Sequence, residues 1–405
     1  MCCAYAAVRR GMEVVVLERG ERDSDSCSLG NAGMVVPSHV VPLAAPGMVA
    51  MGAKMLFQRG GPFYIKPRPS LELLRWGWSF VRSATAGHVK RCAPVLRDLH
   101  LLSRAGFIEL GEQLGDFGME ERGLFALCKS QVALEEEAET ALLARGLGVP
   151  AEVLGAAAVK HFEPGVAMDV AGAVYFPKDA QMDPGRFVEA LRRGIEEAGG
   201  VIRWGGGVAS WEVESGNVRA AVLAGGERVA GDEFVLAGGA WSAEAAGGLG
   251  LRLPMQAGKG YSVTLERPRV LPRVCSLLME ARVAVTPMGG KLRVGGTMEI
   301  AGLDRSVDPV RLRGILGALP RYYPGMREED FAGLEVWSGL RPCSPDGMPY
   351  LGRSERHANL TVATGHAMMG LSLGPVTGRI VGEILAGEVA SVELGTMAVG
   401  RFLKS

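Results

Sequence analysis

The residues whose type and spacing suit chemistry gather at strand ends and in glycine-rich turns. Glu18 closes the apolar run Glu13–Leu17 after a helical stretch and Gly11. A helix–Gly–strand–acid unit is the second half of a dinucleotide-binding motif, in which the acid bonds an adenosine ribose. An ordinary charged strand end is the competing reading. Arg341 follows the strand-like EVWSGL in an apolar setting. Its planar fork suits a carboxylate, which lysine cannot match. Pairing with Glu335 or Asp346 competes. Tyr261 in GKGYS could add a second donor to the same carboxylate, with Lys259 two residues earlier on the same strand face. Packing is the alternative for a strand tyrosine. Gly365, His366 and Gly370 lie where a strand ends and a helix opens, and free N–H groups at such a junction favour negative charge. His366 could equally cap or pack. Gly238 and Trp241 repeat the strand-to-glycine pattern, although a lone tryptophan is more often core. His39 is a lesser candidate.

These residues need a frame. Residues 2–10 read as a helix stopped by Gly11, and 13–17 as a buried parallel strand. A Gly/Ser-rich loop spans 20–33. Residues 71–83 and 94–115 have helical spacing, and Asp183-Pro184 opens a helix with Phe187, Leu191 and Ile195 on one face and Gly199 at its end. A meander follows: VIRW, ASWEVE, VRAAVLA and DEFVLAGG, with turns at Gly216-Asn217 and Gly225-Gly226. Further strands are expected at 261–265, 283–286, 292–295 and 360–363, and a last helix at 371–386. Strand–turn–helix units at both ends with a meander between them argue for an α/β Rossmann-type domain carrying an inserted antiparallel (α+β) domain. Residues 1–60, 175–250 and 336–405 would form the first, and 61–174 with 251–335 the second. The first strand and its G-x-G-x-x-G are absent, so roughly a dozen residues are expected ahead of Met1.

Composition narrows the function. The chain has 405 residues, 48% hydrophobic and 22% charged, enough for a sizeable core. Forty-four basic residues balance forty-four acidic ones, which leaves no footprint for nucleic acid. No apolar run is long enough to span a bilayer, and the start does not read as a signal peptide. Seven cysteines without C-x-x-C fit reduced thiols in a cytoplasmic setting, neither a disulfide frame nor a metal site. Residues 71–82 put Leu71, Leu74, Trp78 and Val81 on one face with Arg75 and Arg82 beside it. That pattern suits peripheral contact with a membrane or electron carrier, or packing on its own domain.

Five segments occur in an order that resembles the FAD-dependent D-amino-acid dehydrogenases of bacteria, within the D-amino-acid oxidase and glycine oxidase superfamily. They are CSLGNAGMVVPSHVVPLAAPG (27–47), LELLRWGWSF (71–80), LPMQAGKGYSVTL (253–265), WSGLRPCSPDGMPYLGR (337–353) and TGHAMMGLSLGPVTG (364–378). The resemblance implies FAD held by Glu18, Arg19, Ser28, Asn31, Ala32, Gly33, Met34, Val208, Gly238, Trp241, Gly365, Gly370, Leu371 and Ser372. It implies substrate handling by Arg341, Tyr261 and His366, with the arginine of G-L-R-P on the carboxylate. Hydride would pass from Cα of a D-amino acid, or of a cyclic relative such as D-proline or hydroxy-D-proline, to flavin N5. Electrons would leave to a quinone or carrier protein. Ser344 and Met368 stand where oxidases of the superfamily carry further arginines, which favours the dehydrogenase branch. A glycine- or sarcosine-type oxidase, and a degenerate homologue that binds no flavin, remain alternatives.

Overall fold

A computed structural model describes residues 1–22, 26–56 and 60–402. The apolar run near the start forms the strand Val15–Leu17, which lies parallel to Val201–Arg203. A second parallel pair joins Phe234–Leu236 to Leu360–Thr364, and Tyr350–Arg353 completes it on the antiparallel side. The helices Cys2–Val8, Pro184–Glu197 and Gly374–Leu385 pack with these strands. The helix at 184 begins as expected: Asp183 accepts from the N–H groups of Gly185 and Arg186, and Phe187, Leu191 and Ile195 are buried.

The expected meander is corrected. Its four strands fall into three sheets, because turn signals mark where a chain reverses and not which strand it meets. Only Val208–Glu214 and Asn217–Leu223 form a hairpin, joined by Arg228–Ala230; the outer members pair in parallel with strands distant in sequence. The helix expected at 94–115 starts earlier and runs Ala86–Leu114, capped by Thr85 and passing through Pro94. Burial of Cys92, Ala93, Leu96 and Leu99 along this stretch outweighs the one N–H that proline removes.

The second unit is a large sheet. From one edge it runs Val336–Cys343, Gln256–Leu265, Lys291–Ile300, Val283–Met288, Cys275–Leu278, Leu124–Cys128, Gly172–Phe176 and Glu152–Gly155, with Phe63–Ile65 also on Lys291–Ile300. Its long apolar strands cover a core that includes Phe125, Val263, Val285, Val294 and Tyr322. The strand bearing Arg341 thus belongs to this sheet through its ladder with Gln256–Leu265, although its sequence neighbours return to the parallel pairs. No helix of the described residues is long and apolar enough to cross a membrane.

Candidate active site

One cavity of about 1760 Å³ lies between the parallel pairs and the large sheet. That is about twice the upper range of pockets for drug-sized ligands. At one end stand Glu18, Arg19, Val208, Gly238 and Trp241. The Arg19 guanidinium lies 3.9 Å from the Trp241 ring centroid, a cation–π contact that presents a flat, partly charged surface. One Glu18 oxygen accepts from Gly20 N at 2.8 Å.

The loop after the first strand runs along the cavity, with Ser28, Asn31, Ala32 and Met34 on its wall. It is held from behind by the large sheet. Arg293 donates from Nη1 to the carbonyls of Leu29 (2.7 Å) and Asn31 (2.9 Å), and Ser262 Oγ donates to Gly30 O at 2.8 Å. Three consecutive carbonyls are therefore held by side chains of the sheet. Gly33 is corrected as a cavity contact. It is buried at φ +71°, and a Cβ there would meet Met182 O at 2.2 Å, so it serves the turn. Gly365 is likewise a turn glycine, at φ +79° with Tyr350 behind it. Gly370, Leu371 and Ser372 do line the cavity, while the Ser372 hydroxyl accepts from Val36 N at 3.0 Å.

Arg341 enters from the sheet. Its half-buried guanidinium lies directly over Gly260, where a Cβ would come within 2.2 Å of Nη1. Nη1 donates to Thr297 O at 2.8 Å. No carboxylate of the described residues pairs with it, and desolvation holds its pKa below the usual arginine range. Asp346, the competing partner, binds Arg401 at 2.7 and 2.9 Å. Tyr261 requires a correction. Strand alternation puts Gly258, Gly260 and Ser262 on the Arg341 face and Tyr261 with Lys259 on the other. The Tyr261 hydroxyl donates to Glu299 Oε2 at 2.7 Å inside a buried network of Lys259, Glu299 and Arg311, so it does not reach a ligand of Arg341. His366 borders the cavity, but its Nε2 meets Thr377 Oγ1 at 3.0 Å, and burial lowers its pKa to about 4. It is a neutral ring near pH 7. The three residues expected to share the substrate are therefore not brought together, and of the three Arg341 alone presents charge to the cavity.

Two neighbours of Arg341 escaped the sequence reading. The Trp337 ring packs against both Gly30 and Gly339, and its buried Nε1 has no hydrogen-bond partner among the described residues. The helix Leu71–Ser83 roofs the same region through Trp76, whose Nε1 donates to Cys343 O at 2.9 Å. Its other face stays open, with Leu71, Leu74 and Trp78 at 69, 69 and 66% exposure.

The sequence pattern of the DAO family of FAD dependent oxidoreductases matches residues 1–384. The chain belongs to that family. It is 31% identical to the D-amino acid dehydrogenase of Rhizorhabdus wittichii over 98% of this chain and 96% of that one. Its identity to the enzyme of the same name from Bradyrhizobium diazoefficiens is 30%, over 98% and 95%. Among solved structures, glycine oxidase from Geobacillus kaustophilus superposes with TM-score 0.79 at 24% identity, covering 99% and 95% of the two chains. L-Proline dehydrogenase from P. horikoshii gives 0.74 at 16%, covering 100% and 94%. These likenesses show the fold.

The site fits the FAD of a DAO-family enzyme on its own observations. The cavity is lined by the Arg19–Trp241 pair and by Arg341. The sheet holds the loop carbonyls of Leu29, Gly30 and Asn31, and Trp337 Nε1, without a partner among the described residues, offers a buried donor. All seven cysteines are free thiols, and burial raises Cys2 and Cys343 to about 12, which leaves them inert.

Proposed function

We propose that this FAD-dependent oxidoreductase oxidises the Cα–N bond of a D-amino acid, with D-proline and hydroxy-D-proline in the substrate class, and passes the electrons to a quinone or electron-transfer protein. The observation that carries the reading is the Arg341 guanidinium, half-buried in the cavity with no carboxylate of the described residues to neutralise it. Such a group suits a substrate carboxylate, because folding has already stripped much of its water and the planar fork offers charge-assisted hydrogen bonds. The dehydrogenase names of the relatives support the same class.

FAD, when bound, would supply the acceptor for the hydride released from Cα. The chain supplies orientation. Arg341 fixes the carboxylate, while Met298 and Trp76 exclude water beside it. Glu18, Arg19, Val208 and Trp241 would hold the adenosine end, and Ser28, Asn31, Ala32 and Met34 would lie along the cofactor. Gly370, Leu371 and Ser372, with neutral His366, would hold the flavin end. The open Leu71–Ser83 face is the side we assign to a membrane or carrier, next to the roof of the site. A panel of D- and L-amino acids assayed with an artificial electron acceptor tests the reading. Turnover restricted to D-amino or cyclic D-imino acids, with little peroxide, is expected. Peroxide release matching turnover would make the protein an oxidase, and no turnover with any amino acid would overturn the assignment.

A further inference from the structure

Behind the loop that lines the cavity lies a chain of polar groups that binding alone does not require. His39 borders the cavity and no described residue hydrogen-bonds its Nε2. Its Nδ1 lies 3.0 Å from Ser38 Oγ, and Ser38 Oγ lies 2.5 Å from Asp179 Oδ2. Asp179 is fully buried and also accepts from Ser38 N at 2.9 Å. Imidazole, hydroxyl and carboxylate thus form one continuous line from the cavity into the core. Hydrogen bonding fixes its polarity: the ionised Asp179 accepts from Ser38, which accepts from His39 Nδ1–H, and Nε2 is left as a lone pair open to the cavity.

We propose that His39, Ser38 and Asp179 form a relay that takes the ammonium proton of the substrate. The inference rests on the amine-oxidation reading, because an ammonium group cannot release a hydride from its Cα until its nitrogen regains a lone pair. The N–H bond of the substrate ammonium breaks and its proton goes to His39 Nε2. The Nδ1 proton passes to Ser38 Oγ as the Ser38 proton passes to Asp179 Oδ2. The amine is left neutral, as are His39 and the Asp179 carboxyl. After the imine leaves, the reverse sequence returns the proton to water in the cavity. No oxidant or reductant is involved.

The surroundings divide the labour. Burial lowers His39 to about 4, so His39 passes a proton on and does not keep it; His100 of the helix Ala86–Leu114 is lowered to about 3 by its own burial and by His39. Burial lifts the Asp179 carboxyl to about 7, with the Ser38 bonds and Arg104 opposing the rise. Arg104 is occupied by Lys178 O and Glu121. The Cys275 thiol, whose pKa burial pushes well up, also faces Asp179 and stays uncharged. Asp179 therefore stores a proton near neutral pH, where a base must operate.

The test uses the flavin-loaded protein. Wild type should show a kcat/KM limb that rises through about pH 7. Asp179→Asn and Ser38→Ala should each lose about 100-fold at pH 7, lose that limb, and recover at alkaline pH where the substrate amine ionises unaided. Flavin content and unfolding temperature identify a variant that merely misfolds. Independently of turnover, difference infrared spectra of the resting holoenzyme should show a carboxylic C=O band that titrates near neutrality. That band should vanish in Asp179→Asn and shift in His39→Gln and Ser38→Ala. An Asp179→Asn profile parallel to wild type, or a C=O band indifferent to Ser38 and His39, overturns the relay and leaves the amine-oxidation reading standing. If wild type oxidises no amino acid, that reading fails, and the infrared coupling alone then decides whether the relay exists.

Discussion

Removing the Arg341 side chain separates a binding role from a structural one. In the free protein its guanidinium makes one hydrogen bond among the described residues, to Thr297 O. Losing that bond costs about 1 kcal/mol, or about 2 °C in a domain of this size. Against a bound carboxylate the loss is larger, because the anion would sit desolvated and unpaired. A truncated charge-assisted pair in a buried site costs about 2–5 kcal/mol, roughly 30- to several thousand-fold in kcat/KM. Arg341→Ala should therefore leave flavin content and unfolding temperature near the parent while kcat/KM per bound flavin collapses. Arg341→Lys should recover only part, since a point charge cannot reproduce the planar fork. A structural arginine gives the reverse pattern: lower stability and flavin loss, with near-normal kinetics in what folds. Kinetics within threefold of the parent would refute the assignment.

Three further outcomes follow from the same geometry. Gly260→Ala places a Cβ within 2.2 Å of Arg341 Nη1, so it should cut kcat/KM at least tenfold with flavin retained, and unchanged kinetics would show that the guanidinium position is unimportant. Arg19→Ala removes the contact over Trp241. It should weaken FAD binding by about 0.5–2 kcal/mol, roughly 2- to 30-fold in Kd by flavin fluorescence. Trp78→Ala should lower activity with membranes present but not with a soluble dye, whereas equal loss in both would mean simple packing.

Local chemistry was legible where residues nearby in sequence decide the structure. Asp183-Pro184 with its apolar face, the EVVVL strand and the 71–83 helix all follow from capping, proline placement and periodicity. Parallel partners were not legible, since Val201–Arg203 meets Val15–Leu17 and Phe234–Leu236 meets Leu360–Thr364 across more than a hundred residues each. The site divides in the same way. GKGYS marks a strand that matters, but the residues facing Arg341 are Gly260 and Ser262, while the conspicuous Tyr261 points into the opposite layer. Alternation states that neighbours differ in face; only the ladder partner states which face is wet. Arg293 and Asp179 carry no local signal, because an arginine between Leu292 and Val294 and an aspartate in a turn look ordinary until the loop they hold is folded against them.

The buried histidines turn this packing into a prediction about pH. His366 has its pKa lowered to about 4 by burial, so it binds a proton less readily folded than unfolded. The stability it contributes is complete above its unfolded value near 6.5 and is lost as pH falls toward 4. Between pH 7.5 and 5.5 that loss is on the order of 1 kcal/mol for His366 alone. His39 and His100, lowered to about 4 and about 3, add losses of the same sign. Asp179 works the other way. Its folded carboxyl is raised to about 7, so its contribution is complete below about pH 4 and is lost as pH rises toward 7. The two trends oppose one another between pH 5 and 7. His366→Asn should therefore flatten the acid side of a plot of unfolding free energy against pH, and Asp179→Asn the side between pH 5 and 7. Chemical denaturation of both variants at half-unit pH steps measures this. An acid limb as steep in His366→Asn as in the parent would mean that the ring is not held neutral by its burial, and its place beside the cofactor would then have to be argued as that of a cation.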